Sequence, residues 1–142
     1  MSAAIDAVRE QVAEILAMDP HPAHRDEHGD SYVHVGSTTV FLPVVEVHGG
    51  HVAVDVWAPV LQDVPLTAAL YREVAERSFM FGRLAIERQG ETGQVIFAHA
   101  LLADHLTPDA LFVALGSVAQ TADGLDDELQ ARHGGRRFAD PA

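Results

Sequence analysis

Apolar and polar positions change their spacing several times along the chain, and each change marks a predicted element. Residues 2–18 place apolar side chains every three or four positions, which predicts an amphipathic helix with Ser2 as its N-cap. The polar stretch 19–30 contains two prolines and predicts a loop. Runs rich in β-branched residues then predict three strands, over residues 32–35, 38–47 and 51–60.

The second half of the chain repeats a helix-start signal. Thr67 and Thr107 are each flanked by apolar residues that can form a hydrophobic staple, and Pro108 follows the second threonine. Two strands, 82–88 and 94–102, are predicted between these helices. The last helix ends at Gly134-Gly135. Its apolar positions form a packing seam: Leu111, Leu115, Val118, Ala122, Leu125 and Leu129.

The order of these elements predicts the fold class. It is α-β-β-β-α-β-β-α, which indicates a two-layer α+β fold with a five-stranded antiparallel sheet. A chain of 142 residues is expected to form one domain. We therefore predict a single domain over residues 1–135 and a flexible C-terminal tail over residues 136–142.

The register of the first hairpin predicts a binding surface. If Gly49-Gly50 is a two-residue loop, Val47 faces Val52, and the face that carries Phe41 and Val45 lies in the core. The opposite face then presents an apolar patch around the only tryptophan, for which the alternative is that a helix covers it. The candidate contact residues on this patch are Val40, Leu42, Val44 and Trp57.

The sequence leaves two alternatives for the face of the sheet on which Phe97 lies. Simple pairing across the second hairpin places Phe97 in the core with Leu84 and Ile86. An alignment of the two halves of the chain, which sets Trp57 over Phe97, places Ile96 there instead. A β-bulge would reconcile the two.

Composition narrows the classes of function. The formal net charge is −12, which disfavours nucleic acid as a partner. All nine cationic residues are arginine, so a P-loop or a Schiff-base lysine is excluded. There is no cysteine, which excludes disulfides and thiol chemistry and favours a cytoplasmic location. We expect neither a secretory signal nor a membrane span.

Histidines offer the main alternative chemistry. His21, His24 and His28 could bind a metal with nearby carboxylates, but a proline-containing loop fixes no geometry, so solvated side chains are favoured. His48 and His51 flank the hairpin and could form a pH-sensitive pair, although an exposed rim is favoured. The sequence shows no nucleophile elbow. We expect no catalytic residue, no metal and no cofactor.

Short phrases of the sequence, read with the element order, support a family resemblance. The phrases are Ala58-Pro59-Val60-Leu61 before Val64-Pro65, Phe81-Gly82-Arg83-Leu84, Leu106-Thr107, Ala122-Asp123, Leu125-Asp126-Asp127-Glu128-Leu129 and Gly134-Gly135. With them, the chain resembles the type III secretion effector chaperones and the YbjN-type proteins, in particular actinobacterial members. The resemblance implies a small, acidic, usually dimeric protein that binds extended client segments on apolar surface.

Three functional hypotheses follow from these observations. The first is a non-catalytic, chaperone-like module that forms a homodimer and binds a client protein or peptide. The second is a regulatory or sensory domain of YbjN type that responds to a ligand or to pH through its histidines. The third is a hydrolase with a dispersed site, which would need a deep polar pocket.

Overall fold

Residues 2–140 fold into three α-helices and one seven-stranded antiparallel sheet. The structure is a computed structural model, and it describes residues 2–140. In chain order the elements are α1 (Ala3–Leu16), β1 (Ala23–Arg25), β2 (Ser31–Val35), β3 (Thr38–Leu42), β4 (Val44–Glu46), β5 (Val52–Pro65), α2 (Ala68–Glu76), β6 (Arg83–Gln89), β7 (Thr92–Leu102) and α3 (Pro108–His133). The α+β fold class is confirmed, but the count of five strands is wrong.

Two local features account for the additional strands. The stretch predicted as a loop contains β1, which pairs with β2 through Ala23 and Val33. Pro43 divides the long strand predicted over residues 38–47 into β3 and β4, because proline has no N–H to donate to a ladder. Its carbonyl still accepts a hydrogen bond from the Asp55 N–H at 2.9 Å, so β3 and β4 both stay beside β5.

The sheet has the order β1-β2-β3-β5-β7-β6, and β4 also pairs with β5. Buried side chains of all three helices belong to one apolar cluster with Val54, Val56 and Phe97 of the sheet. Because alternate residues of a strand point to opposite faces, the helices all lie on the face of Val54 and Val56. We call this the helix face. Within residues 2–140 no helix packs on the opposite, open face.

Helix starts follow the sequence signals closely. The side chains of Ser2, Thr67 and Thr107 each accept a hydrogen bond from the backbone N–H three residues later, at 3.1–3.3 Å. The predicted seam of α3 is buried at all six positions. None of the helices within residues 2–140 combines the length and the apolar character that crossing a bilayer requires.

The register of the first hairpin differs from the prediction by one residue. Val45 pairs with Ala53 and Phe41 with Trp57, and the loop contains three residues, His48–Gly50. Gly49 and Gly50 both have positive φ, 79° and 76°, which glycine adopts without strain and which closes the longer loop. A slip of one residue moves every side chain of β3 and β4 to the other face.

The pairing within the second hairpin decides between the two predicted placements of Phe97. Phe97 pairs with Leu84, and Val95 pairs with Ile86, so simple pairing across this hairpin is confirmed and Phe97 lies fully buried on the helix face. Irregular register occurs in the pairing of β5 with β7, beyond Pro59, rather than within the β6–β7 hairpin. The Phe79 ring packs edge-on against the Phe97 ring, with ring centroids 4.9 Å apart.

Residues 136–140, within the segment predicted as a flexible tail, make defined contacts. Gln62 and Arg136 exchange two backbone hydrogen bonds of 2.7 and 2.8 Å. The guanidinium of Arg137 binds Asp127 on α3 at 2.8 Å, and Asp140 accepts a hydrogen bond from Gln130 at 3.1 Å. The remainder of that prediction, residues 141–142, lies outside the described residues.

Candidate functional site

The structure separates the four predicted contact residues. Val40, Leu42 and Val44 lie on the helix face, and Leu42 is 0% exposed. The prediction that these three share an accessible face with Trp57 is wrong, because the loop register reverses β3 and β4 while leaving β5 as predicted. Trp57 does lie on the open face, where it is half-buried.

An aromatic row crosses the open face from β2 to β5. It consists of Tyr32, Phe41 and Trp57, one residue on each of three adjacent strands. The rings of Phe41 and Trp57 stack with centroids 4.7 Å apart, and those of Tyr32 and Phe41 lie 6.1 Å apart. All three residues are half-buried, so part of each ring remains exposed to solvent.

Sequence reasoning found one member of this row and missed two. Tyr32 alternates with buried Ser31 and Val33 in β2, so its period-2 position was a usable signal. Phe41 was assigned to the core because the incorrect loop length placed it there. Asp55 precedes Trp57 by two residues and therefore adds a carboxylate to the same face.

Two histidines stand beside the row. The His24 ring lies 5.2 Å from Tyr32 and 5.3 Å from the His34 ring, and His34 Nδ1 lies 2.7 Å from Thr39 Oγ1. His21 is instead held by Asp19, at 2.8 Å from Nδ1 to the carboxylate. Among residues 2–140, no group of three or more possible ligands is placed to hold a metal ion.

The histidines at the hairpin do not form the cross-strand pair that the sensory hypothesis needs. Residues 47 and 51 are the partners across the loop, since the Val47 N–H donates to the His51 carbonyl at 2.8 Å. His51 Nδ1 lies 3.0 Å from Asp104 Oδ2. This geometry does not favour a histidine-based pH sensor.

A second apolar surface lies at the β6 edge of the sheet. β6 ends the strand order, so one side of its backbone has no strand partner in the described part of the chain. Met80 is 91% exposed and Phe81 is 49% exposed just before the strand begins. Tyr71 and Val74 of α2 line the groove beside β6.

An ionic cluster fixes α2 against the end of α3. Glu73 of α2 accepts hydrogen bonds from Arg77 at 2.9 Å and from Arg132, and His133 Nε2 lies 2.6 Å from its carboxylate. Glu128 joins the cluster through Arg77 at 2.7 Å and Arg132 at 3.0 Å. The pKa of Glu73 is held far below its ordinary value, chiefly by the hydrogen bond from Arg132.

Comparison with known proteins assigns the family. A family model described as "T3SS (YopN, CesT) and YbjN peptide-binding chaperone 1", or TY-Chap1, matches residues 3–141. The chain belongs to the TY-Chap1 family. The family resemblance read from the sequence is thereby confirmed, while the actinobacterial origin stays a prediction. The TY-Chap1 description is that of a peptide-binding chaperone, not of an enzyme.

Solved structures share the fold at low sequence identity. The crystal structure of the ExsC–ExsE complex matches with a TM-score of 0.61 and 18% identity, over 89% of this chain and 96% of that chain. YbjN, described as a putative transcription regulator from E. coli, matches with a TM-score of 0.61 and 8% identity, over 87% of this chain and 92% of that chain. No curated protein matches this TY-Chap1 chain significantly.

Proposed function

We propose that this TY-Chap1 protein is a non-catalytic, chaperone-like module that holds extended client segments on its open face. The observation that carries the proposal is the aromatic row on a sheet face without a helix. The description of the family as peptide-binding chaperones supports it. ExsC, which has the same fold, was crystallised in a complex with ExsE, and this supports binding of another polypeptide.

The chemistry of the open face favours a particular kind of client. Burial of an aromatic ring by a partner stabilises the complex by about 25 cal/mol for each Å² of apolar surface removed from water. Asp55 lies beside Trp57, and the chain has a formal net charge of −12. Clients with apolar or aromatic side chains next to arginine or lysine therefore match both the rings and the charge.

Replacement of Trp57 by alanine is expected to weaken client binding about tenfold, or about 1.4 kcal/mol, while leaving the protein folded. The tryptophan is half-buried on the open face, outside the main apolar cluster. Peptides selected from a random phage library against the wild-type protein serve as probes. Their dissociation constants are measured by fluorescence anisotropy, and folding is checked by circular dichroism.

Tyr71→Ala is the matched control, since it removes an exposed aromatic ring away from the open face. It should leave the affinity of the selected peptides unchanged. Equal affinities for wild type and Trp57→Ala would remove the open face as the client site. Loss of folding in Trp57→Ala would show that the ring is part of the core.

A homodimer is proposed through the β6 edge. Unpaired edge strands are normally covered, and antiparallel edges can pair across a two-fold axis. Pairing of β6 with its copy would continue the sheet. Because the two strands would run antiparallel, Met80 and Phe81 of each protomer would lie beside the far end of the partner's β6. This surface is separate from the aromatic row, so a dimer would leave two client sites accessible.

The double variant Met80→Glu/Phe81→Glu is expected to be monomeric at about 10 μM, where the wild type is dimeric, because charged side chains would be desolvated against the partner where apolar ones would otherwise pack. Sedimentation velocity measures the difference. Met18→Glu is the control, since Met18 is 66% exposed on a different part of the surface. A wild type that sediments as a monomer, or a double variant that remains dimeric, would contradict this arrangement.

A further inference from the structure

One residue of the C-terminal segment, Arg136, pairs with the edge of strand β5. α3 ends at Gly134 and Gly135, whose φ angles of 77° and 84° turn the chain back. Arg136 then forms a two-way backbone bridge with Gln62 of β5. This edge of β5 is available because β3 pairs with β5 only at Phe41 and Trp57.

Side chains of the same segment reach two further points. The Arg136 guanidinium binds the Asp63 carboxylate at 2.8 Å. The Phe138 ring meets Phe41 edge-on, with centroids 6.4 Å apart, so it extends the aromatic row. Arg136 is the residue of the segment that pairs with β5, and the chain then turns at residues 138–139, where the Asp140 N–H donates to the Arg137 carbonyl at 3.1 Å. The Arg137 guanidinium binds Asp127 on α3 instead.

The backbone at this place is unusual. Among residues 2–140, Asp63 is the one residue other than glycine with positive φ, at 52°. It lies within the register shift of β5 between Leu61 and Val64. The irregular strand exposes backbone groups of Gln62 and aims the Asp63 carboxylate at the incoming arginine. Strain of this kind is more often found at binding sites than in plain strands.

Together these contacts combine backbone pairing, an ion pair and an aromatic anchor. We propose that Gln62, Asp63 and Phe41 form a binding site, the tail site, for a peptide in which a basic residue pairs with Gln62 and a turn places an aromatic residue two positions later against Phe41. The chain's own residues 136–140 occupy this site in cis, and a client segment of that pattern displaces them. The inference rests on the proposed function, because the tail site adjoins the aromatic row.

The geometry is compatible with exchange between the cis segment and a client. Side chains of the Arg136–Asp63 ion pair are 32% and 55% exposed, so the pair is screened and weak. A segment held by a short flexible linker competes at an effective concentration of roughly millimolar. A client segment must therefore bind tightly enough to displace the cis segment at that effective concentration. Weakly binding peptides would not displace it.

A peptide added in trans tests the tail site. The probe is a fluorescein-labelled peptide with the sequence of residues 134–140, Gly-Gly-Arg-Arg-Phe-Ala-Asp. It is titrated against full-length wild type and full-length Arg136→Ala/Phe138→Ala. Because the double variant lacks the cis side chains, we expect it to bind the peptide at least tenfold more tightly than wild type.

Controls address sequence pattern, charge and folding. A probe with alanine in place of phenylalanine should lose binding to the double variant. Arg72→Ala, which removes a well-exposed arginine on α2, should behave as wild type. Single Phe138→Ala keeps the backbone bridge and provides a milder variant if the double variant is unstable. Emission of Trp57, which stacks on Phe41, reports occupation of the site independently of the label.

The outcomes separate this inference from the proposed function. If neither Phe138→Ala nor the double variant binds the probe better than wild type, the tail has a structural role and the inference is overturned, whatever the phage-selected peptides show. If the probe binds these variants while Trp57→Ala leaves selected peptides unaffected, the tail site stands and the open-face client site fails. Tighter binding of selected peptides to Phe138→Ala supports both.

Discussion

Leu42→Ala is expected to lower the free energy of unfolding by about 2–5 kcal/mol, the range for deletion of a buried leucine side chain. Leu42 is 0% exposed and belongs to the cluster that joins the sheet to the helices. Removing three carbon atoms there leaves a cavity that a packed sheet and helix layer cannot close fully. Urea unfolding followed by Trp57 emission and by circular dichroism measures the change.

Val45→Ala is the comparison for this prediction. Val45 lies on the open face of β4 and is 39% exposed. We expect it to lower the free energy of unfolding by less than about 1 kcal/mol, because little buried surface is lost. The two-residue loop would reverse this order, with Val45 in the core and Leu42 on the surface. Equal effects at the two positions would contradict the observed register.

Glu73→Gln is expected to lower the free energy of unfolding by about 1.5–3 kcal/mol at pH 7, the range for hydrogen bonds to a charged group. Glutamine is close in shape but lacks the negative charge with which the carboxylate accepts the hydrogen bonds of Arg77 and Arg132. α2 would then lose its main attachment to the end of α3. Thermal and urea unfolding of both proteins measure the difference.

The pH dependence of that difference has a defined sign. Because the pKa of Glu73 is lowered in the folded protein, chiefly by Arg132, its stabilisation is fully present above the pKa of an unfolded glutamate, about 4.3. It is lost as the pH falls from there through the lower folded-state pKa. The free energies of unfolding of wild type and Glu73→Gln should therefore converge as the pH falls below about 5. Urea unfolding of both proteins at about pH 7, 5, 4 and 3 measures this convergence.

Glu76→Gln is the matched control on the same helix. Its ion pair with Arg72 is 3.7 Å long and well exposed. We expect this change to alter the free energy of unfolding by less than about 0.5 kcal/mol, with little dependence on pH. A Glu73→Gln effect as small as that of Glu76→Gln would show that the cluster does not hold α2 in place.

The sequence predicts those parts of the fold that depend on local signals. Ser2, Thr67 and Thr107 are caps because each side chain acts within one turn of its own helix. Loop length is a weaker signal, since His48-Gly49-Gly50 fits a loop of two or three residues equally well. Both sides of residues 40–45 are apolar, so hydrophobicity could not decide between the two registers.

The candidate site was predicted only in part for the same reason. Trp57 was placed correctly because β5 keeps its predicted alternation. Phe41 depended on the loop, and Phe138 lies in a segment without periodicity, so its contact could come only from the three-dimensional path of the chain. β1 was missed because three exposed residues carry no apolar pattern.

The strand order also has a kinetic consequence. β2–β3, β4–β5 and β6–β7 join neighbours in sequence, and such hairpins form in about 1–10 μs. β5 meets β7 through partners as distant as Ala53 and Leu102, so this junction requires closure of a long loop. We expect the two halves to assemble early and their encounter along β5 and β7 to limit the folding rate. The C-terminal segment can find Gln62 only after that encounter, once α3 has docked.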